Sequence, residues 1–157
     1  VKIILEGANG SGKSTLGHEL SEWLNIPLRH AGGPSKDFNE CQVRAFDEIL
    51  MEGNIILDRI QSISYAVYQD PSEEEMRILI ANTDAILNDD NILIYCVGEG
   101  KPDFTGKDHY DQDLIDQVLN EQKLIRSIYD KVMPCFPHYI YDFNLESDII
   151  NLLREKL

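Results

Sequence analysis

The run Glu6-Gly7-Ala8-Asn9-Gly10-Ser11-Gly12-Lys13-Ser14-Thr15, directly after the mostly apolar stretch Val1 to Leu5, constrains this chain more than any other part of it. It has the spacing Gly-x-x-x-x-Gly-Lys-Ser of a phosphate-binding loop, or P-loop, between an apolar strand and a helix. Gly7, Gly10 and Gly12 can take backbone angles closed to residues with a Cβ, so the amides of the loop, from Gly7 through Asn9, Gly10, Ser11 and Gly12, can turn inward around an anion. Lys13 adds a mobile point charge, and the helix it opens turns its positive end to the same place. The Ser14 hydroxyl is set to ligate Mg²⁺ and Thr15 continues the first turn. Leu16, Leu20, Trp23 and Leu24 then recur at helical spacing.

A chain of 157 residues reads as one domain, 1–157, with a sizeable core. No apolar run is long enough to span a bilayer and the first residues do not read as a signal peptide, so the expectation is a cytoplasmic protein with no membrane partner. Cys41, Cys96 and Cys135 are scattered and odd in number, which fits reduced thiols better than disulfides or a zinc site. A net charge of −14 argues against a nucleic-acid polymer as partner. It also means that an anionic ligand has to be held by a few local cations against the field of the whole molecule.

Strand and helix alternate along the rest of the chain. Strands are predicted over 26–29, 55–57, 92–97 and 139–141. The helices between them carry Val43, Phe46, Ile49 and Leu50, then Met76, Leu79, Ile80, Thr83 and Leu87, then Leu114, Ile115, Val118, Ile125, Ile128, Tyr129 and Val132, and finally Ile149, Leu152, Leu153 and Leu157. Ser35 or Asp37 can cap the second helix. Asp70-Pro71-Ser72 followed by three glutamates reads as another helix start, and Asp108, Asp111 and Asp113 as caps for a later one. The stretch 98–111 has no periodicity and reads as a lid. Alternation of this kind predicts an α/β fold with a parallel sheet of five strands. The third strand delivers Asp58-Arg59 at its C-terminal end, where such sheets bind ligands.

These residues together resemble the thymidylate kinases. The run Ile4 to Thr15 is similar to that family's P-loop, Arg29-His30-Ala31-Gly32-Gly33-Pro34 is similar to its loop after the second strand, and Asp58-Arg59 with Ser64, Ala66 and Tyr68-Gln69 is similar to its Asp-Arg segment, the final pair one position late. The resemblance implies a three-layer P-loop nucleotide-kinase fold with a short lid. It also implies an ATP- and Mg²⁺-dependent phosphotransferase acting on a (deoxy)nucleoside monophosphate, dTMP to dTDP, and a homodimer. By the same resemblance Lys13 and the loop hold the donor phosphates, and Ser14 and Asp58 serve the metal. Arg59 and Arg29 hold the acceptor phosphate, Gln69 lies near the acceptor base, and Lys101, Lys107 or Arg126 closes over the donor. Asn9 replaces an acidic residue that meets the acceptor sugar, and His30 replaces a glutamate. The family's aromatic-arginine segment for the base has Phe46 and Arg44 as its nearest counterparts.

Two other readings stay open on the residues alone. A deoxynucleoside or other small-molecule kinase would use Glu6 or Asp58 as a base on a substrate hydroxyl, and a non-catalytic P-loop protein would bind nucleotide and switch. Arg29 and Arg59 lining one cleft would favour the monophosphate kinase. Glu6 at a bare hydroxyl site would favour the second reading, and a lid too short to reach the donor the third. Arg59 can also be read as a partner for Asp58, Arg126 as a partner for Asp130 or Gln122, and Lys101 and Lys107 as solvated surface.

Overall fold

The computed structural model describes residues 1–88, 90–100, 104, 106, 109–145 and 147–157. Five strands, β1 (Lys2–Glu6), β2 (Leu28–His30), β3 (Ile55–Asp58), β4 (Ile92–Cys96) and β5 (Tyr139–Tyr141), form one sheet in the order β2-β3-β1-β4-β5. All pairings are parallel. The three inner strands are almost continuously apolar because helices cover both of their faces. Ile4, Leu57, Leu93 and Tyr95 pack under α2 (Phe38–Leu50), α3 (Gln61–Tyr68), α4 (Glu73–Leu87) and α5 (Gln112–Val132). Ile3, Leu5, Ile56, Ile92, Ile94 and Cys96 pack against α1 (Lys13–Leu24) and α6 (Ile149–Lys156). This is the expected α/β architecture.

The helix starts follow their local chemistry. Asp37 accepts from the Glu40 amide and Asp111 from the Leu114 amide. Ser72 and Glu75 form a reciprocal capping box, which accounts for the glutamates at the head of α4. Asp108, Lys101 and Lys107, expected as a cap and as lid cations, lie outside the described residues. No described helix is long and apolar enough to cross a membrane.

Two expectations are corrected. The second strand starts at Leu28, because Ile26 is still tied to the end of α1, its amide donating to the Ser21 carbonyl. The second helix buries Cys41, Ala45 and Glu48 and leaves Val43, Phe46 and Leu50 exposed, at 64%, 58% and 74%. Helical spacing shows that apolar residues share a face; it does not say that anything covers that face.

Candidate functional site

The parallel register brings the C-terminal ends of the inner strands side by side: Leu5 aligns with Asp58, and Glu6 with Tyr95. The P-loop leaves the sheet at this edge and turns into α1. Gly12, at the helix N-cap, has φ 82°. That left-handed conformation suits glycine, and an added Cβ would come 2.7 Å from the ring of Phe143. Unlike α2, α4 and α5, α1 begins with neither a side-chain cap nor an acidic residue in its first turn. Its first amides therefore face outward without an intrahelical partner, as an anion site requires. In front of them is a cavity of about 550 Å³, lined by Gly10, Ser11, Gly12, Lys13, Ser14 and Thr15 and, from the far end of the chain, by Tyr141 and Phe143.

Lys13 is buried, and its ammonium group is paired with Asp58. The second carboxylate oxygen of Asp58 meets Nδ1 of His30 at 2.7 Å. Burial opposes the charge on Asp58, but Lys13 and then His30 hold its carboxyl below the ordinary value. Asp58 and the exposed Ser14 offer hard oxygen donors beside the loop, and Thr15 and Glu19 line the same cavity as Ser14. A Mg²⁺ ion bound through a few protein oxygens and substrate phosphates fits that donor set.

Arg59 follows at φ 71°, an uncommon backbone conformation for a residue with a side chain. Its Nη2 donates to the Gly7 carbonyl and to Oδ1 of Asn9, both at 3.2 Å, and its guanidinium lies 5.5 Å from the centre of the Tyr68 ring. Its Nε is buried without a partner among the described residues. Burial works against its charge, yet Tyr129, Tyr68, Glu6 and Asp58 hold its pKa above the usual value. Arg126 reaches the same loop from α5: Nη2 donates to the Asn9 carbonyl at 3.4 Å, Nη1 pairs with Glu99 at 3.2 Å, and Nε is again unpartnered. The expected pairing of Arg126 with Asp130 or Gln122 gives way to Glu99, since Asp130 accepts from the Tyr95 hydroxyl. Asn9 is thus gripped at its side chain by one arginine and at its carbonyl by another.

Arg29 and Arg59 line one cleft with Arg44 and Gln61, and Asp47 and Glu48 belong to the same lining. Arg44 is occupied there in pinning the loop before α2, through the carbonyls of Ala31 and Gly33 and the Ser35 hydroxyl. A second cavity, of about 350 Å³, lies between Ala8, Asn9, Tyr68 and α5.

Several expected residues sit elsewhere. Glu6 has no exposed surface: its carboxylate accepts from the Ile60 amide at 2.8 Å and the Tyr129 hydroxyl at 3.0 Å. Burial pushes it up to about 7, against the pull of Ile60, Arg59, Tyr129 and Lys13. It braces β1, the start of α3 and α5, and it lines neither cavity. Gln69 ends α3, and Tyr68 beside it lines the 350 Å³ cavity. Phe46 belongs to the exposed stripe of α2. Asn9 lines that same cavity, and the 550 Å³ cavity is lined by Ala8 and by the loop residues from Gly10 to Thr15. Tyr141 at the end of β5 and Phe143 in the turn after it were not legible as site residues, since an aromatic in a terminal strand is an ordinary strand residue and one in a turn carries no motif.

No protein-family model matches the chain, and no curated protein matches its sequence. Solved structures do match. YorR protein from Bacillus subtilis, in complex with phosphorylated GDP, aligns at 22% identity with a TM-score of 0.60, covering 98% of this chain and 96% of that one. Thymidylate kinase from Ehrlichia chaffeensis aligns at 16% identity and 0.55, covering 99% and 96%. Shikimate kinase from Acinetobacter baumannii, in complex with shikimate, aligns at 17% identity and 0.52, covering 98% and 90%. Two of these are kinases named for different substrates, and all three are under 25% identical, so what the likeness carries over is architecture: the chain has the fold of the P-loop kinases, a five-stranded parallel sheet flanked by helices.

Proposed function

We propose that this protein transfers a phosphoryl group from ATP to a (deoxy)nucleoside monophosphate, with dTMP the acceptor that the sequence resemblance implies. The observation that carries this reading is Arg59. It ties the P-loop to the cleft before α2: its guanidinium is braced on Gly7 and Asn9 of the loop while it lines that cleft. Arg29 shares its cleft, which gives an acceptor phosphate two cations.

Phosphoryl transfer asks a protein to position two anions and neutralise spread charge, without a covalent nucleophile. In this reading the loop amides and Lys13 bind the donor phosphates, Arg59 and Arg29 orient the acceptor phosphate, and Arg126 approaches the loop from the opposite side. Ser14 and Asp58 would hold Mg²⁺, which supplies charge neutralisation between the phosphates. A hydroxyl-bearing acceptor fits less well: Glu6 is enclosed, and Asp58 is the carboxylate that this reading gives to Mg²⁺. We also propose a homodimer, for which the exposed stripe Val43, Phe46 and Leu50 is the supporting feature.

The test is a Mg²⁺-ATP assay following ADP formation against a panel of nucleosides and nucleoside monophosphates. Turnover with monophosphates, lost in Lys13→Ala with the circular dichroism spectrum kept, is the expected result. Turnover only with unphosphorylated acceptors, or undiminished turnover in Lys13→Ala, would overturn the reading.

A further inference from the structure

Resting on the monophosphate-kinase reading, we propose that the cavity between the P-loop and α5 holds the heterocycle of the acceptor, with Gln122 binding its edge, and that Glu121 makes it select an amino-bearing base (guanine, adenine or cytosine) over thymine. The cavity adjoins Arg59 through Asn9 and Tyr68, so a phosphate on Arg59 leaves its ring beside this space. At about 350 Å³ it falls in the size range of small-molecule sites.

Its wall is built for a flat apolar body. Val118, Glu121, Gln122 and Ile125 recur along one stripe of α5, and Tyr68 faces them from the end of α3. The Tyr68 ring is fixed edge-on to Tyr129, with centroids 6.5 Å apart, and lies beneath the Arg59 guanidinium.

The polar groups decide which ring edge fits. Oδ1 of Asn9 is engaged by Arg59, so Glu121 and Gln122 are the lining groups on α5 that can read a base. A carboxylate only accepts hydrogen bonds. Guanine offers it an N–H beside an amino group. Adenine and cytosine offer the carboxylate an amino N–H, and the Gln122 amide, which carries both a donor and an acceptor, can bind the edge of any base and so adds affinity without choice. Thymine offers one N–H between two carbonyl oxygens, and a carboxylate repels those oxygens. Glu121 therefore costs an anionic acceptor electrostatically unless base donors engage it, and in a chain of net charge −14 that cost is not offset by the general field.

The experiment compares kcat/KM for dGMP, dAMP, dCMP and dTMP in the wild type, Glu121→Gln and Gln122→Ala, alongside calorimetric binding of the same four monophosphates. Glu121 is exposed and Gln122 only half-buried, so both variants are expected to keep the wild-type unfolding temperature. The wild type should prefer at least one amino-bearing acceptor over dTMP by about tenfold or more. Glu121→Gln should shrink that ratio severalfold, and Gln122→Ala should raise KM for the preferred acceptor without a matching change in KM for ATP. Equal or better use of dTMP by the wild type, or a ratio unmoved by Glu121→Gln, would overturn the base-selection proposal and leave the monophosphate-kinase reading intact. Failure of every monophosphate to turn over would remove that reading, and the binding preference among the four would still decide for or against the cavity's selectivity.

Discussion

At the residue scale, the site is a set of cations and anions already paired with one another. Lys13 sits on Asp58, and Arg126 on Glu99, so a phosphate arriving at the loop has to replace existing partners. In a molecule this acidic such pairing keeps the buried ammonium of Lys13 compensated until the ligand takes over. Asp58 would then depend on His30 and the metal. Phe143 adds an apolar part to the donor cavity. Its ring lies over Gly12 and Gly98, and no residue with a Cβ would leave room for it at either position. We expect Phe143→Ala to weaken ATP binding by about three- to tenfold, the worth of one aromatic contact, while leaving the far-ultraviolet spectrum unchanged. Calorimetric titration checks this, and an affinity within twofold of wild type would mean that the ring serves only to hold the turn after β5 against the loop.

At the scale of elements, α2 is the anomaly. Asn39, Val43, Phe46 and Leu50 are spaced four, three and four residues apart along one exposed stripe, the pattern of a helix that packs on another helix. The buried face of the same helix is held instead by Cys41, Ala45 and Glu48. If two copies meet through this stripe, Phe46→Glu places a charge against its symmetry mate and removes two buried rings at once. It should then weaken association by at least about a hundredfold, given roughly 2 kcal/mol for each ring. Light scattering on wild type and variant reads this directly, and a wild type that stays monomeric at high concentration sinks the idea. The face of α2 was misjudged from the sequence because both stripes, Cys41-Ala45 and Val43-Phe46-Leu50, have helical period and the more apolar one looks like core. The head of α4 was legible for the opposite reason: a capping box is a contact between residues three apart, written entirely in local sequence.

At the scale of the whole molecule, burial of acids makes stability depend on pH. Glu6 and Glu48 are each pushed up to about 7, chiefly by burial. Both bind a proton more tightly in the folded than in the unfolded chain. The stability they lend is present in full below the unfolded value near 4.5 and is lost as pH rises toward 7, by up to about 1.4 kcal/mol per pH unit for each group. Asp58, held low, acts in the opposite sense: the stability it lends is present in full above its ordinary value of 3.8 and is lost only as pH falls below it. Between pH 5 and 7 the melting temperature should therefore fall. In Glu48→Gln, which keeps an acceptor for the Gln61 amide, it should fall less steeply, and equal slopes in the two proteins would contradict the shift. What the sequence by itself determined is what local chemistry can encode: the phosphate-binding loop, the alternation of strand and helix, the caps, and Asp58-Arg59 at a strand end. What only the tertiary structure decided is which distant residues meet there. Tyr68 on α3, Gln122 and Arg126 on α5, and Phe143 after β5 come from three separate segments, and no motif links them. They converge on the loop because the sheet order sets β3 and β4 on either side of β1 and lays α5 and the turn after β5 across their ends. The burial of Glu6 was decided in the same way, since a carboxylate after a strand reads as a ligand group until Ile60 and Tyr129 are seen to close over it.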